Sequence, residues 1–255
     1  MSWDWQVFCQ DTLERTDVPG CLGDGGTTTY LDWLLSAWGW TVSVALLALL
    51  LALVLGAAVG TVRTLNGPRW LVRLAHAWVE LFRNIPLLVQ LFLWYHVVPV
   101  LLPPLKAVPG FVLVVLALGL FTSARVAEQV RAGIQALPRG QRLAALALGM
   151  RTAQAYRHVL LPMALRIIIP PLTSETMNIF KNSSVAFAVS VSELTMFAMQ
   201  AQEETARGIE VYLAVTGLYI VSALAINRLM AFIEHRVRVP GMVAPGAAGA
   251  AGGGH

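Results

Sequence analysis

The chain has 255 residues, of which 57% are hydrophobic and only 13% are charged, and its formal net charge is +4. This composition excludes an ordinary soluble domain and predicts an all-α integral membrane protein with several spans. The basic residues lie beside apolar runs, so the positive charge indicates membrane topology, and no nucleic-acid partner is expected. No Gly-x-x-x-x-Gly-Lys-Ser/Thr motif occurs, so the chain is not expected to bind ATP itself.

Residues 1–37 form a comparatively polar, partly amphipathic N-terminal segment with six acidic residues and one basic residue, Arg15. An acidic flank before the first span suits the outer, periplasmic face of the membrane. No basic stretch leads into an apolar run here, so a cleaved signal peptide is not expected. Cys9 and Cys21 lie in this segment, and the sequence leaves open whether they form a disulfide or remain two free thiols.

Five apolar stretches are long enough to cross a bilayer as helices. They cover approximately residues 39–62, 81–102, 110–130, 159–181 and 209–232. The loop from Arg131 to Arg157 carries five arginines and no acidic residue, which places it in the cytoplasm by the positive-inside rule. The N-terminus is therefore predicted outside and the C-terminus inside. The Ala/Gly-rich tail, residues 239–255, is predicted to be disordered.

A basic, helix-prone stretch lies between the third and fourth spans. Pro138 suits the start of a helix, the Ala/Leu-rich run that follows favours one, and Gly149 is typical of a residue that ends one. The adjacent alanines Ala144 and Ala145 are expected to leave a flat surface for close approach. A short exposed helix of this kind indicates docking into another protein.

The pattern Ala144-Ala145-x-x-x-Gly149, followed by Val159-x-Leu161-Pro162, resembles the EAA loop of ABC importer permeases. The resemblance implies a coupling helix that fits a cleft in a cytoplasmic ABC ATPase dimer. The implied coupling residues are Gly140, Arg142, Ala144, Ala145, Gly149 and Pro162. The Glu that is usual in this loop is replaced by Leu143, so either packing suffices here or a partner permease supplies the Glu.

Residues 79–90, Val-Glu-Leu-Phe-Arg-Asn-Ile-Pro-Leu-Leu-Val-Gln, resemble a signature of the polar amino acid permeases, with Asn84-Ile85 where Gly-Thr is common. The block from Lys181 to Ser184 and the later Glu193-Leu194 also resemble that family. Within it, residues 123–131 look most like the glutamate/aspartate branch. The resemblance implies that residues 38–238 form the transmembrane domain of a type I ABC importer in a bacterial inner membrane.

The resemblance also implies the partners of such a subunit. These are the ATPase dimer, a second permease subunit that is identical or related, a periplasmic amino-acid-binding protein and the lipid membrane. The chain is then not an enzyme and holds no cofactor, because ATP and Mg are bound and ATP is hydrolysed by the ATPase. The expected function is import of acidic amino acids. The alternatives are a permease for glutamine, histidine or arginine, and a membrane anchor or sensor.

Arg125 lies about fifteen residues into the third span. A charge at that depth costs about 2.5–3.5 kcal/mol, so it should face a cavity or a partner. A guanidinium is a bidentate donor for carboxylates, which suggests that Arg125 binds the side-chain carboxylate of an acidic amino acid. Thr122 falls on the same helical face. The alternative is a structural ion pair of Arg125 with Glu128 or with Glu175.

Polar residues also interrupt the fourth span, namely Ser174, Glu175 and Asn178. Nearby prolines free backbone carbonyls, which is tolerated where helices pack or line a path. The hypothesis is a substrate path in which Glu175 binds an α-ammonium group while Arg125 binds a carboxylate. The alternative is hydrogen bonding between packed helices, and for Ser174 this alternative is favoured.

Overall fold

The computed structural model describes residues 3–24, 26–65 and 67–237, and the predicted disordered tail lies outside these ranges. The described chain is helical, and its extended pairing is limited to two isolated β-bridges near the N-terminus. The α-helices are α1 Tyr30–Val62, α2 Arg69–Asn84, α3 Leu87–Phe92, α4 Val98–Leu101, α5 Gly110–Gln135, α6 Arg139–Ala147, α7 Thr152–Ala155, α8 Leu161–Asn182, α9 Leu194–Thr205 and α10 Gly208–Val237. Single-turn π-helical segments at Leu93–Val97 and Tyr156–Leu160 join α3 to α4 and α7 to α8.

Four continuous helical segments are long and apolar enough to cross a membrane. They are Tyr30–Val62, Gly110–Gln135, Thr152–Val189 and Gly208–Val237. The bent pair Arg69–Asn84 and Leu87–Leu101 adds a fifth span if it is counted as one. The all-α fold predicted from the composition is therefore confirmed, and the count of spans agrees with the prediction when the bent pair is included.

The first helix begins at Tyr30, well before the predicted start of the span at residue 39. Thr29 and Asp32 form a capping box, in which the Thr29 hydroxyl accepts from the Asp32 amide and the Asp32 carboxylate accepts from the Thr29 amide. Residues 30–37 are thus helical and do not belong to a polar segment. The apolar run alone gave no sign of this cap, which lies outside it.

The sequence predicted a single second span over residues 81–102, but these residues do not form one straight helix. The chain bends by 105° between Arg69–Asn84 and Leu87–Leu101. Pro86 causes the bend, because its ring forces the preceding residue, Ile85, into an extended conformation (φ −95°, ψ 130°). Residues 81–84 therefore belong to α2, which runs in a different direction from the span that follows.

The fourth span is longer than the predicted residues 159–181, because the helical chain continues from Thr152 to Val189. Pro170 and Pro171 lie inside α8 without ending it. The wider turn at Tyr156–Leu160 ends two residues before Pro162, which has no N–H to donate. A wider turn of this kind is a common way for a helix to continue past a proline.

The centre of the bundle is the contact between α1 and α5. At Gly56 of α1, a Cβ atom would lie 2.5 Å from the Val126 Cβ and 2.9 Å from the Ser123 carbonyl oxygen of α5. Only glycine permits this approach, so the two backbones are almost in contact. Val126 and Val130 also belong to a buried apolar cluster that includes Ala52 of α1 and Ile168 of α8.

The N-terminal segment packs on one end of the bundle, which we call the N-terminal end. Its Cys9 and Cys21 form a disulfide, which settles the question that the sequence left open. Val7 and Phe8 are buried in a cluster with residues of α1, α9 and α10, and Asp4 pairs with Arg207 at 3.0 Å. The Leu13 and Glu14 amides donate to Asp11, which lowers the pKa of that carboxyl.

Candidate functional site

Arg125 of α5 pairs with Glu175 of α8, and the distance from Arg125 Nε to Glu175 Oε2 is 3.2 Å. The two partners differ in exposure, because 41% of the arginine side chain is accessible and only 9% of the glutamate side chain is. The pair therefore joins the two helices by an enclosed carboxylate and a guanidinium that reaches the surface of the subunit. A guanidinium in that position can still bind a second anion.

Glu175 Oε2 is buried and accepts no well-aligned hydrogen bond from any group in the described ranges, although it lies within ion-pair distance of Arg125. A buried carboxylate oxygen with spare acceptor capacity is a favourable partner for an ammonium group. Asn178 lies one helical turn further along α8 and is half-buried. Arg125, Glu175 and Asn178 thus form one polar group, which we call the mid-span site.

The other two predicted substrate contacts are placed differently. Thr122 is buried inside the subunit, so it does not face an open path in this conformation. Ser174 is exposed and lies beside Glu175 in the chain. The structure therefore brings Arg125 and Glu175 into contact, with Asn178 one helical turn away, and separates Thr122 from the accessible surface.

Of the two ion pairs considered for Arg125 as the alternative to substrate binding, the one with Glu175 is present and the one with Glu128 is not. Glu128 instead accepts from Arg63 at the end of α1, at 2.6 Å, and from Arg131 Nε, at 3.0 Å. The Arg63 side chain is only 5% exposed, and one of its nitrogens lies 3.3 Å from His76 Nδ1. We call Arg63, Glu128 and Arg131 the Glu128 cluster. It fastens α1 to α5 at the end of the bundle near α6.

Helix α6 covers Arg139–Ala147, with Pro138 at its N-cap, close to the predicted coupling helix. Its C-terminal end is a Schellman motif, since the Gly149 amide donates to the Leu146 carbonyl and the Met150 amide donates to the Ala145 carbonyl. Gly149 has φ +82°, a conformation that favours glycine. The prediction that Gly149 ends this helix is confirmed.

The prediction that Ala144 and Ala145 together form a flat exposed surface is wrong. Ala144 is exposed but Ala145 is 3% exposed, because adjacent residues of a helix point about 100° apart. The exposed apolar surface of α6 and its C-cap consists instead of leucines, among them Leu143 in the helix and Leu148 at the C-cap, which are 64% and 79% exposed. The predicted coupling residues Gly140 and Pro162 are exposed, and Arg142 is half-buried.

Neither the Glu128 cluster nor the role of the buried carboxylate Glu193 was predicted from the sequence. Glu193 caps α9 by accepting from the Thr195 and Met196 amides, and it also accepts from the Tyr219 hydroxyl at 3.3 Å. Glutamate is not among the residues preferred at an N-cap, so the local sequence did not indicate this cap. No local signal indicated that Arg63 would meet Glu128, because the two residues are brought together only by helix packing.

Several apolar spans that carry a partly buried ion pair, with a short amphipathic helix beyond the end of one span, are features of a multi-span transport permease. A match to a known protein family identifies the kind of permease. Residues 48–239 match the family described as "Binding-protein-dependent transport system inner membrane component", and the chain belongs to this family of ABC importer permeases. Its relatives place it among the polar amino acid permeases and its fold is that of a type I importer subunit.

Three similar proteins support this placement. The "Glutamate/aspartate import permease protein GltJ" of Escherichia coli (strain K12) is 41% identical over 251 residues, which is 94% of this chain and 97% of that protein. The "Probable glutamine ABC transporter permease protein GlnM" of Bacillus subtilis (strain 168) is 36% identical and covers 77% of this chain and 89% of its own length. The solved structure of "an amino acid ABC transporter with histidines" has a TM-score of 0.71 at 32% identity, covering 81% of this chain and 95% of that one.

Proposed function

We propose that this permease imports acidic amino acids, glutamate or aspartate, and that the mid-span site contacts them during passage. The observation that carries the proposal is the Arg125–Glu175 pair, which joins an accessible guanidinium to an enclosed carboxylate in the middle of two spans. Charged groups at this depth are costly, so they are expected to serve a function or a partner. An amino acid supplies both signs of charge that this pair can bind.

In the proposed contact, the side-chain carboxylate of the substrate accepts from the Arg125 guanidinium. The α-ammonium group of the same molecule donates to Glu175, whose Oε2 has spare acceptor capacity. Asn178 offers an amide that can donate to a carboxylate oxygen or accept from the ammonium group. The substrate thus replaces one ion pair by two without leaving either protein charge uncompensated, which keeps the cost of desolvation low.

Charge-assisted hydrogen bonds to a guanidinium are roughly twice as strong as neutral ones, so a carboxylate side chain is favoured over an amide. The 41% identity with the glutamate/aspartate permease supports the same choice. The second candidate is a permease for another polar amino acid such as glutamine, histidine or arginine. The similarity to a probable glutamine permease, at 36% identity, favours this alternative.

The energy for transport is proposed to come from a cytoplasmic ABC ATPase dimer that binds ATP and Mg, since this chain has no P-loop motif. The exposed leucines of α6 are proposed to dock into that dimer, with Leu143 packing where other members of the family have Glu. A second permease subunit, identical or related, completes the pathway, and a periplasmic binding protein delivers the substrate. This arrangement needs the N-terminus outside and the C-terminus in the cytoplasm, as the arginine-rich loop also indicates.

The decisive experiment measures the ATPase activity of the complex, reconstituted with the binding protein, across a panel of amino acids. For the unaltered complex, glutamate and aspartate should stimulate hydrolysis more than glutamine, histidine or arginine do. For Arg125→Ala, the stimulation by acidic amino acids should fall at least tenfold while the basal rate stays within twofold. Arg166→Ala, which removes an exposed arginine of α8, is the matched control.

Each outcome of that experiment has a clear meaning. Equal stimulation by glutamine in the unaltered complex would favour the second candidate. Full stimulation by glutamate in Arg125→Ala would remove Arg125 from substrate recognition and leave selection to the binding protein.

The coupling role of α6 has its own test at Gly149. Valine is strongly disfavoured at φ +82°, and we expect Gly149→Val to destabilise the local helix end by about 1–2 kcal/mol. Uptake should fall at least tenfold while the amount of permease in the membrane is unchanged. Gly149→Asn is the control, because asparagine tolerates this conformation and should retain most of the uptake. Normal uptake by the valine variant would contradict the coupling role.

A further inference from the structure

Helix α2 has a buried face that packs on α5. Val79 and Phe82 belong to an apolar cluster with Leu120, Ala124 and Ala127 of α5. Trp78 donates from its indole Nε1 to the Ser123 hydroxyl at 3.1 Å. These contacts hold α2 against the bundle and leave the opposite side of the helix uncovered.

The uncovered side carries an apolar stripe. Trp70, Leu74 and Leu81 are 63%, 59% and 55% exposed, and Ala77 lies between them. Their spacing of four, three and four residues places them on one line along the helix. One apolar side of α2 packs on the bundle. The other apolar side is therefore expected to contact a second apolar environment outside the subunit.

The edge of this stripe is basic near the start of the helix. Arg69 and Arg73 are exposed and lie on the turns that hold Trp70 and Leu74. Arg83, further along the helix, is exposed but turns toward α5, where its Nη1 lies 4.0 Å from Glu128 Oε1, so it is not part of this edge. The one acidic residue on this edge is Glu80, and its carboxylate accepts from the Asn84 amide at 2.9 Å. The first two turns of α2 therefore present guanidinium groups beside exposed aromatic and leucine side chains.

The direction of α2 fits a helix at the membrane surface. It is bent by 105° from the segment Leu87–Leu101, so if that segment follows the spans, α2 runs near the plane of the membrane. Arg63 and His76, whose side chains meet at 3.3 Å, hold α2 beside the end of α1. The helix therefore lies where the spans end, on the same side as α6.

We propose that α2 is an interfacial helix that binds acidic phospholipids. Trp70, Leu74 and Leu81 insert among the acyl chains, and Arg69 and Arg73 bind the phosphate groups of the lipids above them. Basic residues beside an apolar stripe are the features that bind helices to anionic lipid surfaces. That this is the cytoplasmic leaflet rests on the orientation given under the proposed function, whereas the lipid contact itself does not.

Lipid is the occupant favoured over a second permease subunit for two reasons. The stripe is followed along the chain by Leu88 and Val89 of α3, which are also exposed and apolar, as expected of a surface that faces acyl chains. The centre of a protein interface is depleted of charged residues, whereas Arg69 and Arg73 immediately flank Trp70 and Leu74. The arginines instead complement the negative charge of an acidic leaflet.

The test places a fluorescent NBD label on an introduced thiol in the reconstituted transporter complex. The native cysteines are joined in the Cys9–Cys21 disulfide, so the label reacts with the new site. Leu74→Cys reports on the stripe, and Glu80→Cys on the polar edge is the matched control. Two kinds of vesicle are prepared, both mainly of phosphatidylcholine. One contains a small fraction of phosphatidylglycerol with a nitroxide quencher on its acyl chain, and the other contains the same fraction of phosphatidylcholine with that quencher.

We expect both quenching lipids to reduce the fluorescence of the Leu74→Cys label, and the phosphatidylglycerol form to do so more strongly at the same mole fraction. The label on Glu80→Cys should be quenched much less. Adding Arg69→Gln and Arg73→Gln to Leu74→Cys should lower the preference for phosphatidylglycerol about fivefold per arginine. Arg236→Gln, which removes an exposed arginine of α10, should leave that preference unchanged.

Two results would overturn the proposal. If the Leu74→Cys label is not quenched, or if two permease subunits cross-link through this thiol, the stripe is a protein interface. If both lipids quench equally and the arginine substitutions change nothing, α2 touches lipid without recognising acidic headgroups. None of these measurements uses an amino acid substrate, so their failure is separate from a failure of the proposed import function.

Discussion

Two ion-pair sites lie one turn apart on α5, and they are built in different ways. At the Glu128 cluster, both carboxylate oxygens are occupied by arginines, and the Arg63 side chain is only 5% exposed. At the mid-span site, a single arginine meets a single carboxylate, and the Arg125 side chain is 41% exposed. One site encloses its cation and the other leaves its cation accessible.

This difference separates a fixed contact from one that can exchange. Breaking the Glu128 cluster would leave Arg63 enclosed without a counter-charge, so the cluster should stay closed as long as α1 packs on α5. Opening the mid-span pair returns Arg125 to accessible space, and an incoming carboxylate can take the place of Glu175. Under the proposed function, the same two residue types stabilise the fold in one place and bind the substrate in the other.

The largest expected effect is that of Glu128→Gln. The substitution removes the negative charge from beside the enclosed Arg63, and we expect it to destabilise the subunit by about 3 kcal/mol. The measurement is the temperature at which the detergent-purified complex loses its monodisperse peak in size-exclusion chromatography. Glu128→Asp, which keeps the charge, should recover most of the loss. An unchanged temperature for the Gln variant would show that the cluster is not a fixed contact.

A double variant, Arg125→Glu with Glu175→Arg, exchanges the two charges of the mid-span pair, and its effect should be the second largest. The two charges still attract, so the double variant should be more stable than Arg125→Glu alone and close to the unaltered protein. Uptake of glutamate should nevertheless stay at least tenfold reduced, because the accessible charge is now negative. Thermal stability and uptake are measured on the same preparation. Recovery of both together would mean that the pair serves structure only.

The smallest expected effect is on stability in Glu175→Gln. It leaves Arg125 without its carboxylate, but that side chain is 41% exposed and can be solvated, so the loss should be about 1 kcal/mol or less. The same thermal measurement applied to Glu128→Gln provides the comparison. If Glu175→Gln lowers the thermal stability as much as Glu128→Gln does, both ion-pair sites are fixed structural contacts.

Local features of the fold could be predicted from the sequence because their causes are local. Apolar runs of about 20 residues indicate spans, since a helix of that length crosses the hydrocarbon. Gly149 was predicted to end α6 because a helix end with positive φ favours glycine, and it does so with φ +82°. The start of α1 was missed because its capping residues, Thr29 and Asp32, lie before the apolar run.

The partners in the candidate site could be predicted only in part. Arg125 had two candidate carboxylates, Glu128 at three residues along the same helix and Glu175 on another helix. Helical spacing alone allows the pair of Arg125 with Glu128. Nothing in the local sequence reveals that Glu128 instead pairs with Arg63 of α1. Similarly, the depth at which Thr122 is buried depends on which helices surround α5, and that follows from the packing of the whole bundle.

The close approach at Gly56 has a mechanical consequence. Because the Val126 side chain and the Ser123 carbonyl of α5 lie directly against Gly56 of α1, sliding or rotation of one helix against the other would press Val126 into the side chains of α1. They should therefore move as one rigid body in any change between inward-open and outward-open states. Helix α6 follows α5 after only residues 136–138, so a displacement of α6 would tilt both helices together and carry Arg125 with them.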